Sequence, residues 1–214
     1  DAISTILKFE AKQGVTSVAL ASMTMGKETL EKAFKSAASF RPKENEASLE
    51  GIYMEGPFIS PNKIGAQNPK FLKPLDLDFF KTLQKVSGNL IKCLVVAPEL
   101  DGAIDFIKEV KDKVRVSLGH TNCDYQTASS AFEAGARELT HTFNAMPPML
   151  HRAPGPIVAA SENAKVLAEL ICDGVHVNPA MVRMAFKLFS KDNIVMISDS
   201  MMATGLENGT YALG

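Results

Sequence analysis

The sequence predicts an α/β fold of the TIM (β/α)8 barrel type, in which helices surround a parallel sheet. Short apolar runs alternate with helical patterns along the 214 residues, and this alternation is typical of parallel strands joined by helices. The runs are apolar on both faces, as expected of a sheet that is buried on both sides. Four of the runs end in a glutamate, a histidine or an aspartate, and the catalytic residues of barrels gather at the carboxyl ends of strands.

The individual elements can be placed along the chain. Strand-like runs begin near Gly14, Leu49, Ile91, Val114, Glu138, Val166 and Asn193. Apolar spacing predicts a helix within Asp101–Lys113, a shorter one over Thr82–Val86, and another that follows the Asn178-Pro179 cap. We expect sheet and helices to alternate throughout.

The two ends of the chain suggest part of a larger barrel. Residues 1–10 have a helical pattern, and Gly209–Gly214 has the pattern of a strand that is cut short. The predicted strands are one fewer than the eight of a closed barrel. We therefore expect residues 1–214 to be most of a catalytic barrel, a fragment without its first strand.

Composition excludes several classes of function. The net charge of −1 gives no electrostatic basis for binding nucleic acid or an anionic membrane, and no apolar run is long enough to span a membrane. Cys93, Cys123 and Cys172 are widely spaced, which argues against a disulfide framework or a cysteine zinc site and fits a reducing compartment. The sequence contains no phosphate-binding loop or dinucleotide fingerprint of a nucleotide enzyme.

Glu55, His120 and His141 are the candidate metal ligands, because each follows an apolar strand. Carboxylate and imidazole groups bind zinc, iron and other borderline divalent ions. Three protein ligands leave a coordination position open for water, whose pKa such a metal lowers from about 15.7 towards about 7. The pattern predicts a mononuclear metallohydrolase. Lys92 lies at the wrong end of its strand to bridge two ions, which favours one metal without excluding a second.

Further polar residues lie near the same predicted edge. Asp199 can accept a proton from water and pass it to a leaving amine. His176 can contact substrate or bind metal, whereas Asp173 is expected to be structural. Arg152 suits a phosphate or a carboxylate, and the backbone N–H groups of Asn144-Ala145 can form an anion-binding nest.

Taken together, these motifs resemble the N-acetylglucosamine-6-phosphate deacetylase family of the amidohydrolase superfamily. The matching segments follow one another in the family's order over nearly the whole chain: Met54–Phe58, Gly65–Pro69, Gly119–Asn122, Thr140–Met146, Arg152 with Pro154-Gly155, Asp173–His176 and Ser198-Asp199.

The resemblance implies a reaction and a set of roles. The reaction is hydrolysis of the acetamide of N-acetylglucosamine 6-phosphate to glucosamine 6-phosphate and acetate, in a cytoplasmic homodimer with a small flanking β-sandwich. The implied metal ligands are Glu55, His120 and His141, and the implied acid/base is Asp199. The implied substrate contacts are Ala66, Gln67, Asn144, Ala145, Arg152 and His176. Many family members have histidine where this chain has Gln67, whose amide still donates a hydrogen bond but does not titrate.

Several questions stay open at the level of sequence. The ligand set accepts zinc, iron, cobalt or manganese. A related amidohydrolase that acts on another N-acyl amino sugar phosphate, or on a cyclic amide, fits the same residues. A non-catalytic barrel that only binds sugar phosphates is a further alternative, because a fold does not determine function. A Schiff-base aldolase would need a lysine at the carboxyl end of a strand, and we find none.

Overall fold

The computed structural model describes residues 2–213 as an alternation of helices and strands. The order is α1 (Ala2–Lys12), β1 (Ser17–Ser22), α2 (Lys27–Ser39), β2 (Ser48–Met54), α3 (Leu77–Val86), β3 (Ile91–Val96), α4 (Ala103–Val110), β4 (Arg115–Leu118), α5 (Tyr125–Ala134), β5 (Glu138–Leu139), α6 (Gly155–Ser161), β6 (Leu167–Ile171), α7 (Pro179–Leu188) and β7 (Ile194–Ile197). Two single-turn 3₁₀ helices lie at Pro69–Phe71 and Lys191–Asn193.

The strands form one parallel sheet. Its seven strands are paired in chain order from β1 to β7, and every pair is parallel. The seven strands predicted to begin between Gly14 and Asn193 are confirmed. Because the strands are parallel and consecutive, their carboxyl ends lie along the same edge of the sheet, and this arrangement positions the candidate site.

Side-chain caps fix where several helices begin. Asn178 accepts a hydrogen bond from the Ala180 N–H at the start of α7, which confirms the cap that the sequence predicts. Helix α3 begins at Leu77, earlier than the predicted Thr82, because the Asp76 carboxylate accepts the Phe79 N–H at 2.8 Å and caps an additional turn.

Two expectations about the sheet were wrong. Strand β1 alternates between exposed and half-buried residues, and Met196 in β7 is 72% exposed. These are the first and last strands of the described sheet, so each has one neighbour instead of two. Residues 209–213 form no strand and pair with no described strand. The predicted continuation to Gly214, like Asp1 at the other end, lies outside the described residues.

Apolar side chains from the sheet and the helices form the main core. Phe58 packs edge-to-face against Phe79 and Phe106, with ring centroids 6.0 and 5.4 Å apart. Leu94 and Ile107 are completely buried between β3 and α4. Among residues 2–213, the model contains no helix with the length and apolar character that crossing a membrane requires.

A buried polar cluster lies within this otherwise apolar sheet. Glu138 of β5 and Glu169 of β6 are 7% and 4% exposed. The Tyr53 hydroxyl contacts Thr140 at 2.8 Å, and Thr140 contacts Ser117 at 2.6 Å. Burial and the charge of Glu138 raise the pKa of Glu169 to about 9, and burial also raises the pKa of Glu138. Glu169 therefore holds a proton in the folded protein at neutral pH.

This protonation predicts a pH dependence of stability. An unfolded glutamate titrates near about 4.3, so the folded state binds more protons than the unfolded state up to a pH of about 9. The free energy of unfolding should therefore fall as pH rises through this range. In Glu169→Gln this contribution disappears.

Urea unfolding at pH 5 and pH 8.5 tests the prediction. The loss of stability across this range should be larger in the wild type than in Glu169→Gln, by more than about 1 kcal/mol. Glu44→Gln, at an exposed position, is the control and should follow the wild type. If the free energy of unfolding changes equally with pH in the wild type and in Glu169→Gln, Glu169 does not carry the proton assigned to it.

Candidate metal centre

Strand register brings the predicted site residues together. Glu55 directly follows β2, whereas His120, His141 and Asp199 each lie two residues beyond the ends of β4, β5 and β7. Leu118 of β4 is paired with Leu139 of β5, so His120 and His141 continue side by side past the paired strands.

Glu55, His120 and His141 form a compact group of ligand atoms. One atom from each residue lies within 4.8 Å of the others. The Nε2 atom of His120 is 3.1 Å from Glu55 Oε1 and 3.1 Å from His141 Nε2. Both histidines are 5% exposed, and the Glu55 side chain is 13% exposed. The described residues thus bring the three predicted ligands to one point.

The chemistry of this donor set fits a divalent metal ion. His120 Nδ1 lies 2.8 Å from the Lys63 carbonyl oxygen, which can only accept, so Nδ1 carries the hydrogen. In neutral His120 the lone pair then lies on Nε2, the atom that faces Glu55 and His141. An outer hydrogen bond of this kind orients metal-binding histidines. A carboxylate and two imidazoles suit zinc and neighbouring transition metals.

The electrostatics of the cluster favour the metal-binding forms of Glu55 and His141, whereas His120 is shifted towards its protonated form. Burial opposes the charged form of Glu55, but hydrogen bonding to His120 and the charge of His141 outweigh it and lower the Glu55 pKa. Burial lowers the pKa of His141, although Glu55 opposes the shift. Burial also disfavours charged His120, but its hydrogen bond to Glu55 raises the His120 pKa. An ionised Glu55 and a neutral His141 are the forms that bind a metal ion.

The segment after Glu55 turns sharply against the end of β1. Gly56 has a φ of +79°, which favours glycine. A Cβ atom on this residue would lie 2.0 Å from Thr24 Oγ1. The Gly56–Pro57 peptide bond is cis. Glycine at position 56 therefore allows the chain to leave β2 immediately after the carboxylate.

Gln67 contacts the metal site directly. Its amide oxygen accepts the Thr24 N–H at 2.7 Å, and its amide nitrogen donates to Glu55 Oε1 at 2.6 Å. The two partners fix the orientation of the amide, because a backbone N–H only donates and an ionised carboxylate only accepts. Gln67 is 6% exposed, and one amide hydrogen remains for another acceptor.

The backbone at the site adopts sparsely populated conformations. His120, His141 and Asp199 have positive φ angles of 46°, 27° and 48°. Residues other than glycine rarely occupy this region, and such conformations cluster at functional sites. Phe143 and Ala145, on the loop after β5, also have positive φ angles.

Asp199 lies beside the proposed ligands. Its charge acts on both imidazoles. Burial and the nearby Glu55 raise the pKa of the Asp199 carboxyl, whereas the charges of His141 and His176 oppose the shift. The residue as a whole is exposed.

The expected substrate contacts have different environments. Asn144 donates both its N–H and its Nδ2 to the His141 carbonyl, so its N–H is not free for an anion nest. The Ala145 carbonyl accepts the Thr121 N–H. Ala66 and Arg152 are exposed, and the Arg152 side chain has no hydrogen-bond or ion-pair partner among residues 2–213.

His176 is oriented by the carboxylate of Asp173, for which the sequence analysis expected a structural role. Asp173 Oδ2 lies 2.6 Å from His176 Nδ1, and Oδ1 accepts the N–H groups of Val175 and His176. Hydrogen bonding from His176 lowers the Asp173 pKa to about 2. The ionised carboxylate holds the hydrogen on Nδ1, so in neutral His176 the lone pair lies on Nε2.

Sequence reasoning did not identify the residues that support the ligands. Glu169 accepts the His141 N–H, the Lys63 carbonyl accepts from His120, and Glu99 accepts the Thr121 hydroxyl and the Asn122 N–H. For Glu169 a signal was present, because Leu167–Ile171 places one glutamate within an otherwise apolar strand. Backbone carbonyls carry no such signal.

Lys92 lies at the amino end of β3, as the sequence predicts. It is exposed and donates to the Asn89 carbonyl.

Comparison with known proteins agrees with this geometry. No protein-family model matches the chain. The chain is 37% identical over 208 residues to N-acetylglucosamine-6-phosphate deacetylase from Bacillus subtilis (strain 168), covering 95% of the chain and 52% of the relative. It is 34% identical over 215 residues to N-acetylgalactosamine-6-phosphate deacetylase from Escherichia coli O157:H7, covering 100% of the chain and 57% of the relative.

A solved structure of a deacetylase is also similar to the chain. A mutant N-acetyl-D-glucosamine-6-phosphate deacetylase from Mycobacterium smegmatis, in complex with N-acetyl-D-glucosamine-6-phosphate, superposes with a TM-score of 0.92. It is 32% identical, and the match covers 97% of the chain and 54% of that protein. The chain spans about half the length of the curated relatives it matches.

A parallel barrel-type sheet with a glutamate and two histidines at its strand ends is characteristic of the amidohydrolase class of barrels. Within this class, the chain belongs to the N-acetylglucosamine-6-phosphate deacetylase family. The resemblance stated from the sequence motifs is confirmed.

The geometry predicts that metal binding depends on both histidines. In His120→Ala or His141→Ala, two of the three ligands remain, and zinc should no longer be retained stoichiometrically after dialysis. The metal content of the purified proteins, measured by mass spectrometry, checks this expectation. His151→Ala is the matched control, because His151 is exposed and lies outside the cluster. Equal zinc content in all variants would contradict the site.

Proposed function

We propose that the protein hydrolyses the acetamide of N-acetylglucosamine 6-phosphate to glucosamine 6-phosphate and acetate. One divalent ion, either zinc, iron, cobalt or manganese, would be held by Glu55, His120 and His141. The observation that carries the proposal is the convergence of these residues within 4.8 Å, with Asp199 beside them, in a chain of the deacetylase family.

Asp199 is proposed to transfer the protons of the reaction. A metal ion bound at this site would polarise the amide carbonyl and make water acidic enough to attack near neutral pH. Asp199 accepts a proton from the attacking water and then delivers it to the amine that leaves the sugar.

Gln67 is proposed to serve both the ligand set and the substrate. One amide hydrogen is bound to Glu55, and the second can be donated to the acetyl oxygen as negative charge develops there. A well-placed donor to such an oxyanion contributes about 3–4 kcal/mol to transition-state stabilisation. This role replaces the histidine that many family members carry at the position.

The remaining side chains are proposed to bind the sugar phosphate. Arg152, which has no described partner, binds the phosphate together with the second Nδ2 hydrogen of Asn144 and the Ala145 N–H, whereas the Asn144 N–H stays bonded to His141. Ala66 lines the sugar. His176 accepts a hydrogen bond from a sugar hydroxyl through Nε2, because Asp173 keeps the hydrogen on Nδ1. Binding at these remote positions orients the acetamide for attack.

For the whole protein we propose further features that follow the family. Residues 1–214 form most of a (β/α)8 barrel, to which one more strand and a small β-sandwich are added. The protein is a homodimer in the cytoplasm, where the three free cysteines remain reduced.

A second substrate is favoured by one observation. The Escherichia coli relative is an N-acetylgalactosamine-6-phosphate deacetylase, so the epimeric amino sugar phosphate is the leading alternative. The two sugars differ in the orientation of one hydroxyl group, which is the kind of group that we assign to His176.

Acetate release by the full-length protein is the first test. We expect no acetate from metal-stripped protein and restored release with zinc, iron, cobalt or manganese. Release from N-acetylglucosamine 6-phosphate should exceed release from its galactosamine epimer and from the unphosphorylated sugar. Preference for the epimer would select the second candidate, and the absence of acetate with every metal would reject both.

Asp199→Asn tests the proton-transfer role. The amide retains the size of the side chain but cannot accept the proton, so kcat should fall by at least about 10²–10⁴-fold. Zinc content and substrate affinity should remain close to those of the wild type. Asp192→Asn is the control, at an exposed position on the preceding 3₁₀ helix. Turnover of Asp199→Asn at the rate of the control would exclude the role.

A further inference from the structure

His141 differs from the other proposed ligands in how its side chain is held. His120 is oriented by the Lys63 carbonyl, and Glu55 is oriented by the Gln67 amide. The Nδ1 atom of His141 is buried and has no hydrogen-bond partner in the described part of the chain. The direction of the His141 ring therefore depends on its backbone.

The backbone of His141 needs external support. Its φ of +27° is unfavourable for a residue with a side chain. The preceding strand, β5, is only two residues long, so sheet pairing alone fixes little of the turn. A strained conformation persists only where surrounding contacts determine it.

Glu169 on the neighbouring strand provides this support twice. Its Oε2 atom accepts the His141 N–H at 3.1 Å, and its backbone carbonyl accepts the Thr142 N–H at 2.8 Å. The two bonds hold consecutive N–H groups of the turn against β6. Glu169 is 4% exposed, so water does not compete for these bonds.

The Glu169 side chain is itself fixed. The Tyr53 hydroxyl donates to Oε2 at 3.2 Å, and Glu138 hydrogen-bonds the carboxyl group from β5. Glu138 in turn contacts Arg115 at 3.4 Å. Burying two carboxyl groups is costly compared with an apolar core, so the contact of Glu169 with a proposed ligand calls for a specific role.

From this geometry we propose that Glu169 is a positioning residue that sets the His141 imidazole for metal binding through the His141 N–H. The inference rests on the proposed metal centre and extends it to a buried side chain on β6. It concerns the hydrogen-bond acceptor and not the charge, so a neutral acceptor of the same shape should serve equally well.

Three substitutions test the acceptor role. Glu169→Leu removes the acceptor, and zinc affinity should fall about 10–100-fold, the usual effect of losing an outer-shell partner. Glu169→Gln restores an acceptor oxygen and should stay within about threefold of the wild type. Glu46→Leu is the matched control, because the Glu46 side chain is also covered and accepts hydrogen bonds from Ser4 and Lys43, outside the proposed metal site; it should also stay within about threefold.

The measurements separate positioning from general destabilisation. Zinc affinity is determined by competition with a chromophoric chelator, and the visible spectrum of the cobalt-substituted protein reports the ligand geometry. The spectrum should change in Glu169→Leu and not in Glu46→Leu. If Glu169→Leu does not fold, Glu169→Asp replaces it, because the shorter side chain withdraws the acceptor and should also weaken binding.

The opposite results would overturn the proposal. Wild-type zinc affinity in Glu169→Leu or Glu169→Asp would show that His141 does not depend on this acceptor. Equal losses in Glu169→Leu and Glu46→Leu would assign the effect to general destabilisation. The proposed deacetylation is judged separately, because it fails if wild-type protein binds metal normally but releases no acetate.

Discussion

The parallel pairing of consecutive strands is the constraint on which the candidate site depends. Neighbouring strands lie about 4.8 Å apart, and pairing Leu118 with Leu139 fixes how far β4 and β5 extend relative to each other. His120 and His141, each two residues beyond this pair, must then lie side by side. A slip of one residue in this register would separate the two Nε2 atoms that are now 3.1 Å apart.

The proposed ligands are held by three different kinds of partner. A backbone carbonyl orients His120, a side-chain amide orients Glu55, and a buried carboxyl group supports the turn of His141. These bonds offset the strain of the positive φ angles at the strand ends. The partners come from the loop after β2 and from β6, so the geometry of the site combines segments far apart in the sequence.

The sequence was sufficient for the strands and for the proposed ligands because both follow from local patterns. An apolar run marks each strand, and the residue that ends the run can be identified as a possible metal ligand from the sequence alone. The exposure of β1 and β7 was not predictable, because an edge strand and a central strand share the same composition.

The contacts that support the proposed ligands could not be predicted, because they join residues that are distant in the sequence. The partnership of Glu169 with His141 joins residues that lie 28 positions apart, and only the fold brings them together. The start of α3 depends on Asp76 as a cap, and aspartate is equally common in turns. Local signals thus identify what can bind a metal, whereas long-range contacts determine how firmly it is held.

Gln67 gives the carboxylate ligand a support that does not change with acidity. An amide neither gains nor loses a proton in the range where proteins are folded, so Gln67 remains a donor to Glu55 for as long as that carboxylate is ionised. An imidazole in this place would alternate between donor and acceptor forms as it titrates. A metal ion at the proposed site would therefore be lost in acid through protonation of its ligands, and not through titration of Gln67.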